Sequence, residues 1–169
     1  MEFPQVARTD VAALLEFLTG EEWPFHVVRR IYPGDVRDRF ASGAYDHSFW
    51  VVDGGARIGL IRLMDVDDGT PLFDLRISSA ARGRGAGTAA VRWLTGHVFA
   101  NHDTNRIEGT TREDNHAMRR VFDKAGYVKE SHYRDAWPGQ DGLHDSVGYA
   151  ILRRDWQHGT VTPVNWADV

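Results

Sequence analysis

Residues 82–88 read Arg-Gly-Arg-Gly-Ala-Gly-Thr, and their types and spacing suit phosphate binding. Gly83, Gly85 and Gly87 allow a tight turn and let a ligand approach the backbone. The run Ala81–Thr88 opens a helix that continues through Ala89–Leu94. A helix start offers free N–H groups and the positive end of the helix dipole, which favour an anion. Arg82 and Arg84 add cationic partners. A Walker loop needs Gly-Lys followed by Ser or Thr, and no such run occurs. A dinucleotide-binding loop needs G-x-G-x-x-G, usually near the chain start, whereas this spacing is G-x-G-x-G about halfway along.

Other chemistries are bounded by what the chain lacks. It has no cysteine, which excludes disulfides, thiolate metal sites and a cysteine nucleophile. No G-x-S-x-G elbow is present, which removes the usual serine hydrolase. The eight histidines form no H-E-x-x-H pair, so no metal is expected.

The elements that position these residues follow from periodicity. A first helix is expected over residues 10–19, capped by Thr9 or Asp10 and ended by Gly20. A second starts at Pro33 and runs towards Gly43. Glu21 to His26 between them is aromatic and irregular. Phe49–Val52 and Ile58–Met64 read as strands around an Asp53-Gly54-Gly55 turn. Leu72–Ser78 alternates, with Phe73, Leu75 and Ile77 on one side and Leu72, Asp74 and Arg76 on the other. A helix from the glycine turn to about Phe99 follows, then a strand over residues 106–111. A helix starts at Asp114-Asn115 and ends at Gly126, and two last strands cover Tyr127–Asp135 and Ser146–Arg153. The order ααβββαβαββ implies a single α/β (α+β) domain over 1–169, with a mixed sheet, helices on both faces and a tail from residue 159.

Several motifs in order carry a family resemblance. Arg82-x-x-Gly85-x-Gly87 resembles the acyl-CoA pyrophosphate motif of the GNAT N-acetyltransferase superfamily. Arg106-Ile107-Glu108-Gly109-Thr110-Thr111, Asp114-Asn115-His116-Ala117 and Asp123-Lys124-Ala125-Gly126-Tyr127 resemble RimJ/RimL-like members, as does Asp145 to Leu152. The likeness covers residues 47–156 well.

The resemblance implies a mostly antiparallel sheet whose central strands splay, so that the pantetheine arm of acetyl-CoA pairs with a strand edge. The N–H of Leu75 would then hold the thioester carbonyl and its oxyanion, and Ile77 would bond pantetheine. Backbone N–H groups from Gly83 through Arg84, Gly85, Ala86 and Gly87 to Thr88 would hold the pyrophosphate; Arg82 and Arg84 would either assist or simply be solvated. Asn115 falls where relatives contact pantetheine or the thiol; its other reading is a helix cap. Asp74 and Glu108 are candidate general bases, ranked in that order. Their alternatives are structural, an ion pair of Asp74 with Arg62 or Arg76 and, for Glu108, a pair with Arg106 or a helix cap; a water chain or bulk solvent is a third possible proton acceptor. Phe122 and Met118 stand where the superfamily's tyrosine and the RimJ/RimL-like serine would act as general acid. Tyr127 and Tyr149 are spare hydroxyls more consistent with the core.

The acceptor is expected to be an amine on a small molecule or a protein N-terminus. Its pocket is expected from Glu21–His26 and Trp137–Gly142, with Trp23, Phe25 and Trp137 as walls and Glu21, Glu22 and Asp141 attracting a cation; the other reading of the aromatics is as hydrophobic anchors for the loops. The net charge of −4 argues against a wholly basic nucleic-acid surface. With 42% hydrophobic and 26% charged residues the chain is globular in composition, and its apolar clusters are too short to span a bilayer. Residues 1–5 do not read as a signal peptide, so a cytoplasmic location is expected. Relatives dimerise through edge strands, which makes a homodimer a further expectation. Two readings compete with the acetyltransferase: an acyl-CoA sensor without turnover, and a nucleotide-binding domain.

Overall fold

The computed structural model describes residues 1–168. Strand β1 (Ser48–Asp53) pairs antiparallel with β2 (Ala56–Met64) around Gly54 and Gly55. Both glycines have positive φ, 56° and 81°, as a two-residue hairpin turn matched to strand twist requires. β3 (Leu72–Ile77) follows β2 in hydrogen-bonding order, and the full order is β1-β2-β3-β4-β6-β5. β4 (Arg106–Arg112) runs parallel to β3 with the register pair Leu72↔Glu108, and antiparallel to β6 (Gly142–Leu152). β5 (Val128–Gly139) closes the order against β6. The expected mixed, mostly antiparallel sheet is therefore present.

The chain packs as two compact units. One comprises Met1–Met64 and Asp74–Ala86, the other Asp65–Phe73 and the chain from Gly87 onward, so β3 changes unit between Phe73 and Asp74. In the first unit, helices α1 (Val11–Thr19) and α2 (Pro33–Ala41) bury one face each. Leu14, Leu18, Trp23, Ile31, Val36, Tyr45, Trp50 and Leu60 form its apolar core. Asp10 starts α1 but does not cap it with its side chain. Its carboxylate instead accepts bonds from Ala7 N–H (2.9 Å), Trp50 Nε1 (3.0 Å) and Arg57 Nη2 (2.8 Å), tying the entering chain to the β1–β2 hairpin.

In the second unit, α3 (Ala86–Asn101), which enters it at Gly87, and α4 (His116–Ala125) flank β4 in sequence, and the short α5 (Arg153–His158) follows β6. The aromatic centre of this unit is Phe122, stacked on Tyr149 and tilted against Phe73 and Tyr127. Gly109 on β4 faces the Phe122 ring; a Cβ there would lie 2.7 Å from Cζ. Gly126 ends α4 with φ 87°, as its sequence position implies.

Three expectations shift. The last two strands are longer than the alternation suggested and meet in a hairpin at Gly139↔Gly142, so Trp137 to Gly139 belong to β5 instead of a loop. Register breaks at Lys129/Ser131 and Tyr133/Trp137, with Asp135 at φ 53°, erase the period-2 pattern there. Arg153 starts a helix where a strand end was expected, and its guanidinium caps the carbonyls of Phe99 (2.7 Å), His102 (2.6 Å) and Thr104 (2.7 Å).

Candidate functional site

The polar side of β3 is only partly open to solvent. Arg76 is 7% exposed and lies over the Trp23 ring, 5.2 Å from its centroid. Trp23 is held by its indole N–H, which donates to Leu18 O at 2.9 Å. Asp74 lies on the same side and is half-buried. Its Oδ2 accepts Arg76 Nε at 3.1 Å, and its Oδ1 pairs with His26 Nε2 at 2.9 Å. Burial alone would raise the Asp74 carboxyl. The His26 hydrogen bond and the charges of Arg76, His26 and Arg62 outweigh it, and hold the carboxyl well below the ordinary carboxylate range. Asp74 is thus an ionised acceptor of hydrogen bonds at every physiological pH. The Arg76 pairing expected from sequence is present; His26 as a second partner was not anticipated.

The glycine turn follows directly. After Ser79–Ala81, Gly83 and Gly85 take φ of 76° and 86°, and the chain enters α3 at Ala86. A Cβ built at either glycine would meet nothing within 4 Å, so the turn presents bare backbone to open space. Arg82 is committed to the fold. Its Nε donates to Ile77 O (2.9 Å) and its Nη2 to Glu21 Oε2 (3.2 Å). Glu21 also accepts Ser79 N–H at 3.0 Å, which fixes the entry to the turn. Arg84 is exposed. Leu75 and Ile77 are half-buried on β3, between Asp74 and the turn. Gly87 and Thr88 lie in the first turn of α3.

The remaining candidates sit in the second unit. Glu108 Oε1 pairs with Arg106 Nη2 at 2.7 Å, and Glu130 shares that guanidinium. Asn115 caps α4: its Oδ1 accepts Met118 N–H at 3.2 Å, and its Nδ2 donates to Thr111 Oγ1 at 2.9 Å. Phe122 is buried at 1% exposure. Tyr127 shares a 2.9 Å hydrogen bond with Thr95, and burial pushes its phenol up. The Tyr149 hydroxyl accepts Arg119 Nε at 3.4 Å. Both tyrosines are core residues. Trp23, expected as an acceptor wall, is a core anchor, and Asp141, expected to attract a cation, is exposed and paired with His144 at 2.8 Å. Among the described residues, Glu113, His132 and Asp145 bring three ligand-type atoms within 4.8 Å of one another. His132 and Asp145 already pair there at 2.7 Å across the β5–β6 hairpin.

Known proteins share the family and the fold of this chain. A Bacillus subtilis protein under the provisional name ribosomal N-acetyltransferase YdaF is 29% identical over 105 residues. The match covers 61% of this chain and 57% of that protein, so the chain spans little more than half the length of this curated relative. A chimera of Vibrio cholerae spermidine N-acetyltransferase SpeG shares the fold with a TM-score of 0.80 at 16% identity, covering 94% of this chain and 99% of its own. RimL, a ribosomal L7/L12 alpha-N-protein acetyltransferase solved with coenzyme A, follows at a TM-score of 0.77 and 15% identity, covering 89% and 92%. The described acetyltransferase (GNAT) domain matches residues 2–128, three quarters of the sequence and every element from α1 to α4. A strand, a glycine turn of positive φ and a helix start, set in that strand order and matched over that span, make this chain a member of the GNAT acetyltransferase family.

Proposed function

We propose that the protein moves the acetyl group of acetyl-CoA directly to a primary amine. The observation that carries this reading is the Gly83–Gly85 turn, which offers unobstructed backbone at the start of α3 immediately after β3. The N–H groups from Gly83 to Thr88 bind the pyrophosphate, and exposed Arg84 adds charge. Ile77 bonds pantetheine. The N–H of Leu75 holds the thioester oxygen and the oxyanion that forms on attack. Glu21 and Arg82 shape the turn from behind.

The family relation supports acetyl-CoA as cosubstrate, and the likeness to RimL and SpeG supports an amine as acceptor. The candidates are a protein N-terminus, as in RimJ/RimL-like enzymes, or a small cationic amine, which the net charge of −4 favours. The absence of cysteine fits work in the cytoplasm. A second reading, an acyl-CoA sensor, draws on the commitment of Tyr127 and Tyr149 to the core and on Phe122 in place of a hydroxyl. Incubation with acetyl-CoA and a panel of primary amines separates the two. An enzyme releases free CoA thiol with at least one amine; a sensor binds CoA and releases none.

A further inference from the structure

We propose that His26 is the proton acceptor for the incoming amine, and that Asp74 is its positioning residue. The inference rests on the acetyl-transfer reading. Asp74 Oδ1 meets His26 Nε2 at 2.9 Å, while Asp74 Oδ2 is fixed by Arg76 Nε at 3.1 Å. The carboxylate therefore selects the tautomer with hydrogen on Nε2, and leaves a lone pair on Nδ1. Nδ1 is buried and has no hydrogen-bond partner. A buried imidazole nitrogen without a partner is unsatisfied, and an amine N–H supplies the missing bond. The ring is braced edge-on by Trp23, 6.1 Å between centroids, and by the turn bond from His26 N–H to Trp23 O.

Placement agrees with the role. Asp74 immediately precedes Leu75, whose N–H is assigned to the acetyl carbonyl. His26 lies in the irregular segment between α1 and α2, where Val27, Val28 and Tyr32 are exposed. The charged and titratable groups around the pair are Asp74 and Arg76 on β3, Arg62 on β2, and Tyr45 after α2, which also feels Arg39. The His26 hydrogen bond and the Arg76 and Arg62 charges keep Asp74 ionised, so the carboxylate serves to hold the ring and not to take the proton itself. Catalytic hydrogen bonds of this kind commonly form only once substrate is bound.

The step balances. R–NH3+ gives one proton to Nδ1, and the imidazolium is stabilised by the Asp74 carboxylate. The free amine attacks the acetyl carbon; the C–N bond forms and the C–S bond breaks. The second nitrogen proton ends on the CoA sulfur, and the imidazolium returns its proton to solvent.

The test compares wild type with His26→Gln and Asp74→Asn, using acetyl-CoA and an amine panel that includes spermidine and a peptide with a free α-amino group. His26→Gln should lower kcat at pH 7 by roughly 10²–10⁴-fold and leave the KM for acetyl-CoA unchanged. The acid limb of the wild-type pH–rate profile should vanish, and the rate should recover towards pH 9–10 as free amine forms unaided. Asp74→Asn should lower kcat in the same sense. Turnover in His26→Gln with the wild-type rate and profile overturns the inference alone. No wild-type turnover with any amine overturns the acetyl-transfer reading, and the inference with it. Nitrogen-15 NMR of wild-type imidazoles is a measurement independent of the variants. Hydrogen on Nε2 of His26, with that preference lost in Asp74→Asn, is expected; hydrogen on Nδ1 overturns the proposal.

Discussion

Phe122 and Tyr149 stack face to face, with centroids 4.6 Å apart and ring planes 8° from parallel. The para carbon of Phe122 points at Gly109, where even a methyl would sit at 2.7 Å. A tyrosine hydroxyl at this superfamily position would therefore enter a filled, apolar space. Phe122→Tyr should cost about 1–3 kcal/mol of stability through an unpartnered buried hydroxyl, and should give no gain in turnover. On the scale of a chain this size that is a drop in Tm of roughly 2–12 °C. Gly109→Ala should destabilise through the same contact. Calorimetric melting of both variants checks the pair; a Phe122→Tyr protein as stable as wild type and faster in turnover would contradict it.

Gly85 tests the phosphate turn. Its φ of 86° makes any side chain strained there, by about 1–2 kcal/mol, although space for one is open. Gly83→Ala carries the same strain without adding charge and serves as the control. Gly85→Glu should reduce CoA affinity by more than about tenfold, equivalent to ~1.4 kcal/mol, with melting close to that of Gly83→Ala. Isothermal titration with CoA measures it, and a Gly85→Glu affinity equal to that of wild type would remove the turn from cofactor binding.

Glu108 is the other carboxylate that sequence offers as a base. It shares Arg106 with Glu130 at a partly exposed site, where such pairs are worth about 0–1 kcal/mol. Glu108→Gln should keep turnover within about threefold of wild type, well short of the 10²–10⁴-fold loss of a general base. A loss on that larger scale in steady-state kinetics would move the proton acceptor to β4.

Asp10 sets an acid-stability limit. The Ala7 N–H bond lowers its carboxyl most; burial opposes this, and the Trp50 and Arg57 contacts lower it further. A carboxyl depressed on folding contributes stability above its ordinary value of 3.8, and the contribution disappears as pH falls through the lower folded-state value. Asp10→Asn should therefore reduce Tm at pH 7 and narrow the gap to wild type below pH 3. Melting curves across pH 2–7 read both ends, and a gap independent of pH would show that charge at Asp10 is immaterial.

What sequence made legible was local. The Gly54-Gly55 hairpin, the Gly126 helix stop and the turn at 82–88 depend on a few neighbouring residues and the φ values they need. Asn115 as a cap and the Arg106–Glu108 pair were readable for the same reason. The His26–Asp74 pair was not, because it joins a loop to a strand far along the chain. A histidine in an irregular segment carries no periodicity to announce its partner. The β5–β6 hairpin was foreshortened for a different reason: bulges near Ser131 and Asp135 break alternation just where the strand becomes polar. Asp10 misled in detail, since a residue suited to capping was drawn instead to Trp50 and Arg57.

Arg153 bears on events at the opposite end of α3. One guanidinium gathers three carbonyls at and just beyond the helix's carboxyl end, so the helix cannot slide or rotate about its axis without breaking them together. Sixteen residues at 1.5 Å each place that anchor about 24 Å from Ala86. The helix thus behaves as a rod gripped at one tip, and its other tip is the part assigned to the pyrophosphate. Loosening the grip by Arg153→Lys would free the rod to shift in pitch, and affinity for CoA would fall through a residue whose own bonds lie at the helix's far end.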